Sequence, residues 1–80
     1  MDDATINLKM NELAREEHEL FERESHAKAT DADRERLRRL QVMLDQCWDL
    51  LRQRRARRAA GRDPGDALLR DEETVEGYTA

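Results

Sequence analysis

From residue 2 to residue 60 the chain contains no glycine and no proline, so its backbone chemistry permits one unbroken helix of that length. Ala, Leu, Glu, Arg, Gln and Met, all good helix formers, fill most of the stretch. Hydrophobic periodicity argues for a break. The first part carries Ile6, Met10, Leu13, Glu17 and Leu20, spaced 4, 3, 4, 3. The second carries Leu37, Leu40, Leu44, Cys47 and Leu51, spaced 3, 4, 3, 4. Each is a seam of a and d type, and the two are out of phase. Carried forward, the first seam would place Asp31, Arg34, Arg38 and Asp45 on the apolar stripe. A straight helix cannot bury both, so the sequence predicts an all-α antiparallel hairpin with helices over about 3–26 and 31–60.

The segment between them supports the break. Ser25 to Asp33 has no large apolar side chain. Thr30 or Asp31 can accept a hydrogen bond from a free N–H at the start of the second helix, and Asp31 and Asp33 suit the positive end of its dipole. Thr30 with Asp33 imitates a capping box, Asp standing for Glu. In an antiparallel pair, facing residues have a constant sum of positions. Ile6 with Leu51, Met10 with Cys47, Leu13 with Leu44, Glu17 with Leu40 and Leu20 with Leu37 all give 57, which centres the turn between Lys28 and Ala29.

A hairpin of this size stands near the edge of stability. Burying a large apolar side chain gains about 1.5–3 kcal/mol, and ordering each residue costs about 1.5 kcal/mol. Projected at about 100° per residue, the second helix spreads its apolar side chains over roughly 160°, wider than one neighbour covers. Met43 and Leu50 extend one flank and Trp48 the other; Ala14 and Phe21 widen the first helix. Phe21, Met43, Trp48 and Leu50 are therefore candidate interface residues, and the expected assembly is a homodimer forming a four-helix bundle. The division expected is a helical hairpin over 1–61 and an irregular acidic tail over 62–80, in which Leu68, Leu69, Val75 and Tyr78 show no clear period; the tail is read as mobile, the alternative being an extended arm folded back along the helices.

Composition narrows the chemistry. Charged residues make up 42% of the chain yet the net charge is only −4, a mixture suited to solvated helix faces. The lone Cys47 cannot form an internal disulfide and fits a reducing compartment, so the expected location is cytoplasmic. No stretch approaches the length of a membrane span, and the acidic start Met1-Asp2-Asp3 is unlike a secretory signal. No cofactor loop or catalytic constellation stands out, and the chain is not expected to be an enzyme. Cys47 sits in the predicted core with no histidine in its layer. His18, Glu22 and His26 share a face at i, i+4 and i+8, but that face points away from the seam. Glu17, in the seam, needs a partner if buried, with Arg36 or Arg39 in reach. The one strong charge feature is Arg52, Arg54, Arg55, Arg57, Arg58 and Arg62, with no acid between Leu50 and Arg62. The first five are candidate anion-binding residues for phosphate or nucleic acid. The bland reading is complementation of the helix C-terminus, with Asp2, Asp3 and the acidic tail close by.

The run Leu44-Asp-Gln-Cys-Trp-Asp-Leu-Leu-Arg-Gln-Arg-Arg-Ala-Arg-Arg58, with Asn11-Glu-Leu, Glu16-Glu-His-Glu-Leu20 and the closing Val75-Glu-Gly-Tyr78, resembles a family of short actinobacterial proteins catalogued only as a domain of unknown function. The resemblance implies a small bacterial protein whose tail belongs to the domain, and it brings no activity, cofactor or catalytic residue. The expected role is a self-associating module that scaffolds or regulates a protein partner. The alternative is phosphate or nucleic-acid binding through the Arg52–Arg62 cluster.

Overall fold

A computed structural model describes residues 2–79, with the side chains of Tyr78 and Thr79 outside the described part. Two long helices, α1 (Asp3–Ser25) and α2 (Asp31–Ala59), form an antiparallel hairpin; a 3-10 turn at Pro64–Asp66 and a short helix α3 (Glu72–Thr79) follow. The position of Tyr78, grouped in the sequence with the apolar residues of the tail, therefore lies outside the described side chains.

The seams meet as their phase requires. Ile6, Met10, Leu13 and Leu20 are buried with Leu37, Leu40, Cys47 and Leu50 in one cluster, and half-buried Met43, Leu44 and Leu51 pack against it. The register can be read from ion pairs across the hairpin. Asp3–Arg54, Arg23–Asp33 and Glu24–Arg34 give position sums of 57, 56 and 58.

The helix ends follow from local hydrogen bonding. Asp2 caps α1 by accepting the Thr5 N–H at 2.8 Å. Thr30 and Asp33 complete a reciprocal capping box at the start of α2, with both bonds at 3.1 Å. At the end of α1, Ala27 donates to the Glu24 carbonyl and Lys28 to that of Arg23, the paired bonds of a Schellman motif. The same motif ends α2, where Gly61 donates to Arg58 and Arg62 to Arg57. The motif needs a left-handed residue after the cap. Gly61 supplies it at φ +70, whereas at the hairpin turn Ala27 adopts φ +56 without glycine's freedom.

The tail is more ordered than the sequence suggested. It is not an irregular arm: from Ala60 it turns back and runs along α2, whose surface receives both the 3-10 turn and α3. Val75 is 1% exposed, and among the described residues α2 is the only helix that α3 contacts. Asp71 caps α3 by accepting the Thr74 N–H at 2.8 Å. Thus α2 is a spine with α1 on one face and the tail on another. The result is elongated, 50 × 25 × 14 Å, with a radius of gyration of 14.8 Å, against about 11.6 Å for a compact domain of this length. No helix among the described residues is long and apolar enough to cross a membrane.

Candidate functional site

Three faces of α2 carry the chemistry of the chain. The first continues the seam beyond Leu51: the next positions at 3 and 4 spacing are Arg54 and Arg58, and both point at the start of α1. Arg54 is buried, with Nε donating to Asp3 Oδ1 and Nη1 donating to the Pro64 carbonyl at 3.1 Å. Arg58 Nη2 lies 3.0 Å from Asp3 Oδ2. Hydrogen bonds from Arg54, then Arg58, hold the Asp3 carboxyl below its ordinary value. Arg54 and Arg58 are thus ends of a structural clamp between α1, α2 and the 3-10 turn. Of the five arginines assigned to anion binding from sequence, these two are spoken for.

The second face binds the tail through polar side chains that sequence reasoning passed over. Gln46 Nε2 donates to the Arg70 carbonyl at 3.1 Å, and Gln53 Nε2 to the Leu68 carbonyl at 2.7 Å. Between them Asp49 is 1% exposed, and three donors surround its carboxylate: Gln53 at 2.9 Å, Arg70 Nε at 3.2 Å and Arg52 at 3.4 Å. Buried Val42 lies a turn before Gln46. The series Val42, Gln46, Asp49, Gln53 has spacing 4, 3, 4. It is a seam, but a largely polar one, because part of what it holds is backbone carbonyl rather than apolar side chain. The α3 end adds an Arg38–Glu72 ion pair at 3.1 Å and sets the Glu76 carboxyl beside that of Asp45. Burial, first, and the Glu76 carboxyl, second, push the Asp45 pKa up, with Glu17 of α1 adding to the effect. The acids of α3 therefore sit beside the middle and first half of α2, away from its arginine-rich end.

The third face is a flank left uncovered by α1 and the tail. Trp48 is 60% exposed and Phe21 44% exposed. Leu44 and Leu51 beside Trp48 are half-buried, and Ala14 is exposed. At 100° per residue, Ala14 and Phe21 on α1 fall on the same side of the hairpin as Trp48 on α2. The other two residues assigned to an interface lie on the opposite flank: Met43 is half-buried and Leu50, 5% exposed, belongs to the subunit's own core. Met43 and Leu50 line an apolar depression there with Ile6, Leu13, Cys47 and Leu69.

The remaining sequence candidates are placed as follows. Glu17 is half-buried, and neither arginine proposed for it is its partner. Arg36 makes two 2.9 Å bonds to Glu16, and Arg39 lies 3.4 Å from Glu35. Glu16 and Arg36 share an outer flank, whereas Glu17 sits at the centre of the seam. His18 and His26 are exposed and each reaches Glu22, at 3.5 and 3.8 Å. Among the described residues no group of three or more His, Cys, Asp and Glu side chains is arranged to hold a metal. Cys47 is buried, and burial pushes its thiol up, partly offset by Lys9; a thiol so raised is a poor nucleophile at neutral pH.

The model of the family described as "Protein of unknown function (DUF2630)" matches residues 2–80. The chain is 45% identical over 71 residues to an uncharacterized protein of Mycobacterium tuberculosis and to one of Mycobacterium bovis, the match covering 88% of this chain and 82% of each relative. No solved structure matches it.

Proposed function

We propose, from the premise that the chain belongs to this family of proteins of unknown function, that it is a self-associating helical module whose dimer scaffolds or regulates a protein partner. Two hairpins would pair through the flank carrying Phe21, Leu44, Trp48 and Leu51 to form a four-helix bundle. The observation that carries the reading is Trp48, 60% exposed on the side of the hairpin that neither α1 nor the tail covers. Tryptophan at the centre of an interface is a common anchor, because it buries much area with little loss of rotamer freedom.

The surface area supports the same reading. A compact monomer of 9.4 kDa exposes roughly 5000 Å², and this chain exposes 5768 Å². The excess, roughly 750 Å², is close to the ~800 Å² that each partner contributes to a standard interface. Light scattering on purified protein tests the proposal. A mass of two chains at micromolar concentration, reduced to one chain by Trp48→Glu with helicity retained, is the expected result. A clean monomer mass for the wild type would refute it.

A further inference from the structure

The arginines left at the end of α2 after the Asp3 clamp is formed point to a second activity. The Schellman motif there sets Arg57 and Arg62 side by side, because the Arg62 N–H donates to the Arg57 carbonyl at 2.8 Å. These are the two positions at which the motif usually makes an apolar contact; here both carry a guanidinium. The corresponding pair at the end of α1 is Arg23 and Lys28, where Arg23 is matched by Asp33 at 3.2 Å. Among the described residues neither Arg57 nor Arg62 has a carboxylate within ion-pair distance. The nearest acid in sequence, Asp63, turns away to accept the Gly65 N–H at 2.8 Å. Asp3 is taken by Arg54 and Arg58, and Glu72 of α3 pairs with Arg38, far up the spine.

Arg57 and Arg62 line one depression of about 350 Å³ together with Gln53, Ala56, Ala60 and Arg70. Its far wall is Arg70, brought there by the returning tail and anchored to Asp49. Three guanidiniums thus border a small concavity with no acid in its lining. The backbone bond keeps residues 57 and 62 adjacent whether or not an anion is present. Complementing the negative end of the α2 dipole accounts for Arg57 in the last turn but not for Arg70, which the tail brings to the same depression.

We infer that this recess binds a phosphate group, held by charge-assisted hydrogen bonds from Arg57 and Arg62 with Arg70 opposite. The depression is shallow and open to solvent, with three arginines around a space of about 350 Å³, so the ligand we assign is one phosphate group, as the free ion or a small phosphate monoester. The site shifts the anion chemistry from the Arg52–Arg58 run toward the chain reversal, and it depends on a tail residue that the run does not include.

The test is a titration of the ¹⁵N-labelled full chain with inorganic phosphate, and in a second arm with a nucleoside monophosphate, at ionic strength held constant with chloride. Saturable shifts confined to the amides of Ala56–Arg62 and Arg70 are expected. The double substitution Arg57→Gln with Arg62→Gln should weaken binding by about tenfold or more, while Arg55→Gln, an exposed arginine outside the recess, should leave it unchanged. Saturation by phosphate alone assigns the free ion, and tighter binding of the monoester assigns the ester. Linear shifts spread over all arginine-bearing segments, equal binding by the double variant, or tighter binding of a duplex oligonucleotide that survives the double substitution would overturn the inference.

Discussion

Replacing Ala27 by glycine should stabilise the protein, an unusual outcome for a substitution that removes a side chain next to a helix. Ala27 holds φ +56, the left-handed conformation that a Cβ disfavours by about 1–2 kcal/mol. Glycine removes that penalty and gives back about 0.4–1 kcal/mol by loosening the unfolded chain. The net gain is about 0.5–1 kcal/mol. For a chain of 80 residues, 1 kcal/mol moves the thermal midpoint by about 6 °C, so Ala27→Gly should raise it by about 3–6 °C. Gly61 offers the mirror experiment. It holds φ +70 in the same motif, and a Cβ built there meets no atom within 4 Å. Gly61→Ala should therefore lower the midpoint by a similar amount, for conformational reasons alone. Circular dichroism melts at 222 nm and fixed protein concentration would measure both. An unchanged or lowered midpoint for Ala27→Gly, with native helicity, would mean that the chain does not reverse through a left-handed residue at that position. The register of the hairpin would then need another explanation.

Two further outcomes follow from the tail's attachment. Asp49→Ala should cost about 2 kcal/mol in urea denaturation, because it removes a buried acceptor from Gln53, Arg70 and Arg52 together; a loss under about 0.5 kcal/mol would show that the tail does not depend on that carboxylate. The Asp45–Glu76 contact should make α3 pH-sensitive. A carboxyl whose pKa is raised on folding stabilises most below its ordinary value, and its contribution is lost as pH rises through the raised one. Opening of α3, read by amide exchange at Thr74–Gly77 and corrected for intrinsic rates, should therefore become easier from mildly acidic to neutral pH. Asp45→Asn should flatten that dependence, and an unaltered profile would exclude the pair as its source. The Asp3 clamp has the opposite sign: its lowered pKa stabilises above the ordinary value and is lost as pH falls through the lowered one.

The hairpin was legible because its information is periodic and apolar. Two seams out of phase require a break, their common sum fixes the register, and Thr30 with Asp33 marks where α2 begins. Even the clamp was within reach. The α2 seam runs on from Leu51 to Arg54 and Arg58, and the same sum sets Arg54 opposite Asp3. What obscured it was the density of arginine, which made the run look like one exposed patch when two of its members face inward. The tail was harder to read. Its docking face shows the usual helical spacing, but Gln46, Asp49 and Gln53 look like a solvated surface to any reading that equates burial with hydrophobicity. Their partners include the carbonyls of Leu68 and Arg70, and backbone groups leave no mark in a sequence. The Phe21 and Trp48 flank was visible from its width, whereas Leu50, chosen on the same ground, fills the subunit's own core.

Because α3, among the described residues, leans on α2 and on no other helix, the two sides of the spine can drift separately over evolution. Substitutions at 42, 45 and 38 should be tied to those at 75, 76 and 72, and exchanges at 6, 13 and 20 to those at 51, 44 and 37, with little linkage between the sets. A family built this way can remodel its last helix while its first remains as it was.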